Sequence, residues 1–180
     1  MVQEPGPAVL LLTGVMASGK STVAQALAER LPRSVHLRGD VFRRMIVSGR
    51  QETLPEENPE ALAQLRTRHR LTATVADGYA REGWTVVVQD VVLGGELSHF
   101  VTSVRTRPLY VVVLAPSPRA VRAREAGRAK SGYGAWTVEA LDRALRTGTP
   151  DLGLWLDTSD QSPEETVTTI LEQLPHARVA

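Results

Sequence analysis

The sequence contains no cysteine, few aromatic residues and only two lysines, although 21 of its 180 residues are basic. Without cysteine, disulfide bonds and thiolate catalysis are excluded, and the chain suits a reducing compartment, so we expect a cytoplasmic protein. The two lysines, Lys20 and Lys130, stand out against a set of basic residues that otherwise consists of arginine.

Strong charge and long apolar runs are also missing. The formal net charge is only +1, which disfavours long nucleic acid or an acidic membrane as partners. No apolar run approaches the length that spans a bilayer, and the N-terminus lacks the basic flank of a signal peptide. The four histidines lack the spacing of zinc ligands. A hydrophobic content of 42% suits one globular domain, which we expect to span residues 1–180.

Short apolar runs alternate with segments of helical periodicity along the chain. Strands are predicted at residues 8–13, 34–37, 84–89, 109–114 and 152–156, and helices at residues 21–31, 41–48, 60–82, 96–104, 119–128, 137–146 and from a cap at Ser162 to residue 174. Strands that alternate with helices predict an α/β fold, a doubly wound parallel sheet with helices on both faces. Its ligands bind at the carboxyl ends of the strands.

Two details of this prediction concern packing. The long helix at residues 60–82 has its large apolar side chains at Leu62, Leu65, Leu71, Val75 and Tyr79. The tryptophans at positions 84 and 155 fall in predicted strands, where we expect them to be core residues.

Residues 14–21 match the phosphate-binding pattern G-x-x-x-x-G-K-[ST], and they lie between the first strand and the first helix. Its glycines let backbone N–H groups approach phosphate oxygens, while Lys20 supplies charge and Ser21 supplies a hydroxyl ligand for Mg²⁺. The alternative, a chance glycine turn, is disfavoured by the flanking strand and helix. The predicted nucleotide-binding set is Gly14, Ala17, Ser18, Gly19, Lys20, Ser21 and Thr22, with Asp157 after the fifth strand near the base.

Carboxylates follow the second and third strands. Asp40 is a candidate general base for an attacking hydroxyl, with the N-cap of the next helix as its alternative role. Arg43 and Arg44 are candidates for holding an anionic acceptor or the transferred phosphoryl group. Asp90 is a candidate Mg²⁺ ligand beside Ser21, or an acceptor contact, with a plain loop aspartate as the alternative.

The segment at residues 119–130 is rich in arginine and precedes a glycine-containing stretch. We expect a small lid over about residues 122–137, in which Arg124 and Arg128, one helical turn apart, stabilise charge on the γ-phosphoryl oxygens. A solvated helix face is the alternative. Tyr133 is placed in the acceptor pocket or against a base, with core packing as the alternative. Arg66, Arg68, His69 and Arg70 on the long helix form a solvated face by default, or recognise the acceptor across the cleft.

The chain resembles P-loop kinases of the nucleoside-monophosphate-kinase type, and especially the phosphotransferases related to chloramphenicol phosphotransferase, gluconate kinase, adenylylsulfate kinase and polynucleotide kinase. The likeness rests on residues 14–21, on the Gly39-Asp40-x-x-Arg43 element and on the arginine-bearing segment at residues 119–130. It implies the strand order 2-3-1-4-5, ATP as the donor and a catalytic Asp40. Residues 51–70, where such kinases read the acceptor, match no single member.

These observations predict an ATP- and Mg²⁺-dependent kinase that phosphorylates a hydroxyl of a small-molecule acceptor, either a metabolite or an antibiotic. The first alternative is a nucleoside or a polynucleotide 5′-hydroxyl as the acceptor. The second is a nucleotide-switched NTPase without an acceptor, which needs a residue that positions water, and Gln89 is the only obvious candidate.

Overall fold

Five parallel strands form the centre of the molecule. The computed structural model describes residues 5–56, 58–127 and 133–180. The strands are β1 (Ala8–Gly14), β2 (Ser34–Arg38), β3 (Thr85–Gln89), β4 (Leu109–Leu114) and β5 (Leu154–Leu156). They pair in parallel in the order β2-β3-β1-β4-β5, which confirms the predicted fold class and strand order. This order places β1, and therefore the loop that follows it, in the middle of the sheet.

Helices follow the strands and cover the sheet. They are α1 (Lys20–Arg30), α2 (Asp40–Arg44), α3 (Pro59–Arg81), α4 (Glu96–Ser103), α5 (Pro118–Ala126), α6 (Val138–Arg143), α7 (Pro163–Glu172) and α8 (Leu174–Ala177), and a π-helical turn, Ala144–Gly148, extends α6. Within the described ranges, no helix combines the length and the apolar character that crossing a bilayer requires.

Side chains of β1 alternate between two apolar layers because successive residues of a strand point to opposite faces. Val9 and Leu11 belong to the layer that contains side chains from α3, α4, α5 and α6. Leu10 and Leu12 belong to the layer formed with α1, α7 and α8. All of β1 is buried, as expected for the central strand of a sheet that is covered on both sides.

The long helix α3 packs through small residues. Ala73, Ala76 and Ala80 are almost completely buried, whereas Leu71 and Tyr79, two of the apolar positions noted in the sequence, are each 44% exposed. Alanine side chains allow a helix to approach its neighbours closely, because the interaxial distance depends on the side chains at the contact. The size of an apolar side chain was therefore a poor guide to the buried face of this helix.

Two further predictions differ from the structure at element boundaries. The helix predicted at residues 41–48 ends at Arg44, and Met45 and Val47 beyond it are exposed, with no core to pack against. Trp84 precedes β3 and is only partly buried, and the Arg33 guanidinium lies 4.6 Å from the centroid of its ring. The tryptophan is therefore a cation–π partner of Arg33 next to the N-terminal end of β3 and does not belong to the core.

The alanine face of α3 gives a testable prediction. Ala76→Leu adds three carbon atoms at a site with no free surface, so we expect it to destabilise the fold by about 1–3 kcal/mol. Leu62→Ala, on the exposed side of the same helix, should change stability by less than about 0.5 kcal/mol. Urea unfolding followed by circular dichroism measures both. Equal effects of the two substitutions would contradict this assignment of the buried face.

Candidate active site

A cleft of about 1120 Å³ opens at the carboxyl ends of the strands. Most of the candidates named from the sequence line it: Ala17, Ser18, Gly19, Lys20, Ser21, Thr22, Asp40, Arg43, Asp90, Arg124 and Tyr133. Arg44 and Asp157 lie beside the cleft without lining it. The predicted contribution of Arg128 lies outside the described residues. The parallel sheet therefore brings side chains from distant parts of the chain to one ligand-sized space.

The phosphate loop begins at Gly14, whose backbone has φ +145°. A Cβ atom at this position would collide with the carbonyl oxygen of Leu114 at the end of β4, so a larger residue is excluded. Ala17 and Gly19 also adopt positive φ values, +60° and +96°. The loop thus folds back tightly between β1 and α1, as residues 14–21 predict.

Lys20 lies inside this loop and is 6% exposed. Its Nζ donates a hydrogen bond to the carbonyl oxygen of Val15 at 2.6 Å. The N-cap of α1 is Gly19 and its first turn carries no acidic residue, so no negative side chain of this turn opposes the positive end of the helix dipole. This arrangement has the chemistry of a polyphosphate site.

Ser21 lies exposed in the first turn of α1 and fits the role of a magnesium ligand. Among the residues that the structure describes, no group of three histidine, aspartate or glutamate side chains could hold a metal ion. The Ser21 hydroxyl would hold a magnesium ion together with oxygens of the nucleotide.

Asp40 is the first residue of α2, and the N-cap position before it is occupied by Gly39. Its carboxylate is half exposed toward the cleft and lies 3.1 Å from Arg44 Nη2, one helical turn away. Arg43 also lines the cleft and forms an ion pair with Glu52 of the following loop. The alternative role of Asp40 as a helix cap is therefore not seen, and both arginines already have carboxylate partners.

Asp90 forms a buried ion pair with Arg68 of α3. Arg68 Nε donates to Asp90 Oδ2 at 2.8 Å, and Nη2 donates to Oδ1, while the amide of Val91 donates to Oδ1 at 2.7 Å. The pair is packed so closely that a Cβ atom on Gly39 would overlap the carboxylate. Both carboxylate oxygens of Asp90 therefore already accept hydrogen bonds from the protein. Its predicted role at magnesium would require this pair to open.

Arg68 was only one of several charged residues on the long helix in the sequence, and the structure distinguishes it. Burial lowers the pKa of its guanidinium to about 10, against the opposing effect of the nearby Asp40 charge, and the group stays cationic at neutral pH. The helix α3 packs against β2 and β3. This packing brings Arg68 into contact with Asp90, which lies 22 residues further along the chain. Sequence spacing contains no signal for such a contact.

A second charged group lies where α3 meets α4. Its carboxylate, Glu96, was not among the candidates from the sequence. Glu96 lines the cleft, and its Oε1 accepts hydrogen bonds from Arg66 Nε and Nη2 at 3.0 and 2.9 Å. Burial opposes ionisation of Glu96, but the Arg66 hydrogen bonds and charge outweigh it and hold its pKa below the ordinary value. Next to it, burial lowers the pKa of His69 to about 4, so this histidine is neutral at neutral pH.

Arg124 of α5 joins the phosphate loop to the loop after β5. Its Nη1 donates to the carbonyl oxygen of Ser18 at 3.2 Å, and Nη2 donates to that of Thr158 at 2.6 Å. Asp157 accepts hydrogen bonds from the backbone and hydroxyl of Ser159, which lower its pKa and turn its carboxylate toward its own loop. In this structure, Thr158 lines the cleft in its place.

Two residues of the segment that begins at residue 133, Tyr133 and Trp136, line the cleft. Tyr133 is buried, and its hydroxyl donates to the carbonyl oxygen of Met16 at 2.7 Å. Trp136 Nε1 donates to the carbonyl oxygen of Thr53 at 2.8 Å. This end of the predicted lid therefore contacts both the phosphate loop and the loop between α2 and α3.

The buried ion pair predicts unequal effects of removing carboxylates. The Asp90 and Arg68 side chains are 1% and 14% exposed, so Asp90→Ala leaves a buried charge and should cost about 3–5 kcal/mol. Glu139→Ala removes the partner of Arg122 in a pair whose side chains are more than half exposed, and should cost less than about 1 kcal/mol. The free energies of unfolding of the two variants can be compared by urea unfolding. Similar losses of stability would contradict the conclusion that burial makes the Arg68–Asp90 pair the more important one.

The low pKa of His69 predicts a pH-dependent stability. The unfolded chain binds a proton at this residue below pH 6.5, whereas the folded chain binds it only below about pH 4. The stabilising effect of the neutral ring is complete above pH 6.5 and is lost as the pH falls to about 4. Between pH 7 and pH 4, wild type should lose on the order of 2–3 kcal/mol more than His69→Gln. If the free energy of unfolding depended on pH in the same way in wild type and in His69→Gln, the low pKa of His69 would not contribute to stability.

Comparison with known proteins places this site in a family. A family model described as an AAA domain matches residues 9–150, which is most of the chain. No curated protein sequence matches the chain.

Several solved structures share the fold over nearly their whole length. The tunicamycin resistance protein of Deinococcus radiodurans is 17% identical, with 99% of both chains covered and a TM-score of 0.70. A sugar kinase from Janibacter is 19% identical, with 96% of both chains covered and a TM-score of 0.67. A gluconokinase from Sinorhizobium meliloti is 19% identical over 94% of this chain and 92% of that one, with a TM-score of 0.62. At such identities the likeness shows the fold alone. With the phosphate loop in place, the chain belongs to this AAA-domain family and has the P-loop kinase fold.

Proposed function

We propose that the protein is an ATP- and magnesium-dependent phosphotransferase that acts on a hydroxyl of a small-molecule acceptor. The observation that supports this most is that the phosphate loop and the half-exposed Asp40 carboxylate line the same cleft. The volume of the cleft, about 1120 Å³, exceeds the usual range for one small ligand, which suits a donor and an acceptor together.

The donor half is built on β1, α1 and α5. The loop amides and Lys20 bind the phosphates, and the α1 N-terminus adds its positive dipole. A magnesium ion, held by Ser21 and the nucleotide, would neutralise charge that develops on the β- and γ-phosphates. Arg124, next to Thr158, is in a position to contact the nucleotide between the phosphate loop and the β5–α7 loop. Arg128 is predicted to add positive charge from the lid.

Transfer then needs a base on the acceptor side. Asp40 accepts the proton of the acceptor hydroxyl as its oxygen bonds to the γ-phosphorus and the bond from this phosphorus to the β–γ bridging oxygen breaks, which releases ADP. Asp90 acts indirectly, because it holds Arg68 at the floor of the acceptor side. Closure by the segment that contains Tyr133 and Trp136 excludes water from the transfer.

Two alternatives make different demands on the cleft. A polynucleotide 5′-hydroxyl kinase needs cations for the neighbouring phosphate, yet Arg43 and Arg44 are paired with Glu52 and Asp40. An NTPase without an acceptor needs a residue that positions water. Gln89 lines the cleft, but its Oε1 lies 3.1 Å from His36 Nε2, within hydrogen-bond distance. Both observations favour transfer to a small acceptor.

The proposal predicts how Asp40 affects transfer. With an acceptor found by screening metabolites, aminoglycoside- and phenicol-type antibiotics, nucleosides and oligonucleotides, Asp40→Asn should lower kcat by about 10²–10⁴-fold. ATP affinity, measured by calorimetry, should change little because Asp40 lies outside the phosphate loop. Asp151→Asn, an exposed aspartate after the π-helical turn, is the control. Turnover at the wild-type rate in Asp40→Asn would show that Asp40 is not the base. ATP hydrolysis that no acceptor changes would favour the NTPase alternative.

A further inference from the structure

The arginines around the acceptor side of the cleft have carboxylate partners. We use the term acceptor half for the side of the cleft between α2, α3 and the α4 N-terminus. Four arginines there form the pairs Arg43–Glu52, Arg44–Asp40, Arg66–Glu96 and Arg68–Asp90. A fifth, Arg50, shares Glu52 with Arg43, and its Nε lies 4.0 Å from the carboxylate. An anionic acceptor would have to replace one of these carboxylates at its guanidinium, and the displaced carboxylate would then repel it.

The pairs also differ in how easily they open. Arg44–Asp40 is at least half exposed on both sides, and Arg43–Glu52 has one partly buried partner, since the Arg43 side chain is 31% exposed. These two pairs open more easily than a buried pair does. Arg68–Asp90 is buried and bidentate, so the guanidinium closest to the cleft floor is not available to a ligand. Among the described residues, the acceptor half therefore offers an incoming molecule no guanidinium that lines the cleft without a carboxylate partner.

A smaller cavity of about 130 Å³ lies beside the acceptor half, between α2 and α3. Its lining is mixed. The apolar residues are Phe42, Ile46, Ala61, Leu65 and Leu71, and the polar and charged ones are Arg43, Gln51, Thr53, Gln64, Thr67 and Arg68. It shares Arg43, Thr53, Leu65 and Arg68 with the main cleft, so the two spaces adjoin. A cavity of roughly 150 Å³ lined by apolar side chains holds one aromatic ring in other proteins, which sets the scale of the group that fits here.

We propose that the acceptor is an uncharged alcohol that carries an apolar group of about the size of one aromatic ring, and that this group occupies the cavity between α2 and α3. This inference rests on the proposed function for the transfer itself. It adds the class of acceptor, which neither the fold nor the phosphate loop specifies. The hydroxyl of the bound alcohol lies toward Asp40, at the border between the cavity and the main cleft.

Binding of four matched alcohols tests the effect of a negative charge and the effect of an apolar group independently. They are 3-phenylpropane-1,2-diol, propane-1,2-diol, 3-phenyllactate and lactate, each measured for binding to the full chain saturated with a non-hydrolysable ATP analogue. Burial of a phenyl group is worth a gain of about tenfold or more in affinity. We expect the neutral phenyl compound to bind at least about tenfold more tightly than propane-1,2-diol and than 3-phenyllactate. Tighter binding of either anion, or no gain from the phenyl group, would overturn the inference.

Variants test the two features separately. Ile46→Ser makes the cavity lining polar and should remove most of the phenyl advantage, while Leu62→Ser on the outer side of α3 should leave it intact. Glu52→Gln frees Arg43 and should improve binding of 3-phenyllactate about fivefold or more, whereas Glu172→Gln on α7 should not. Unchanged ratios in both Ile46→Ser and Glu52→Gln would also overturn the inference.

The same panel, run with ATP, distinguishes the inference from the proposed function. Selective binding of the neutral phenyl alcohol without phosphate transfer to it or to any screened alcohol would remove the kinase proposal and leave the acceptor site standing. Phosphate transfer to anionic alcohols in preference to neutral ones would leave the kinase proposal standing and remove the inference. Product masses and ADP release report transfer, and saturation-transfer NMR reports binding.

Discussion

The buried ion pair between Arg68 and Asp90 joins three parts of the molecule that form the acceptor side. Asp90 ends β3, Arg68 belongs to α3, and Gly39 in the turn before α2 leaves no space beside the carboxylate. A charge buried in this way is stable only while its partner stays in place, so the pair determines where α2 and α3 lie relative to the sheet. The positions of Asp40, Arg43 and the small apolar cavity follow from that placement. The pair thus connects the strand order of the sheet to the shape of the space that we propose as the acceptor site.

Much of the fold could be predicted from local patterns. The apolar runs and the helical periodicity predicted five strands and the helices between them. The phosphate-loop pattern predicted the tight loop after β1, because its glycines adopt backbone conformations that other residues rarely adopt. Capping residues were equally informative. Ser162 and Glu165 form the expected capping box at the start of α7, since both groups are close together in sequence.

The acceptor side could not be predicted in the same way, because its contacts join residues far apart in the chain. Asp90 looked like a metal ligand at a strand end, and only the position of α3 shows that Arg68 takes both of its oxygens. Glu96 and Arg66 belong to different helices and carry no motif. On α3 itself, the buried face consists of alanines, which compositional patterns treat as weakly apolar. Tertiary contact thus determined both the charge pairs and the packing where sequence patterns were ambiguous.

The division of the cleft has a consequence for how this chain can change over evolution. The donor half depends on β1 and the loop after it, where every strand residue is buried and few substitutions are tolerated. The acceptor cavity is lined by α2, α3 and the loop between them, none of which supplies a strand to the sheet. Substitutions at positions such as Ile46 or Leu71 can therefore alter the molecule that is recognised while the sheet and the nucleotide site stay intact. A scaffold arranged in this way can acquire new acceptors by few mutational steps.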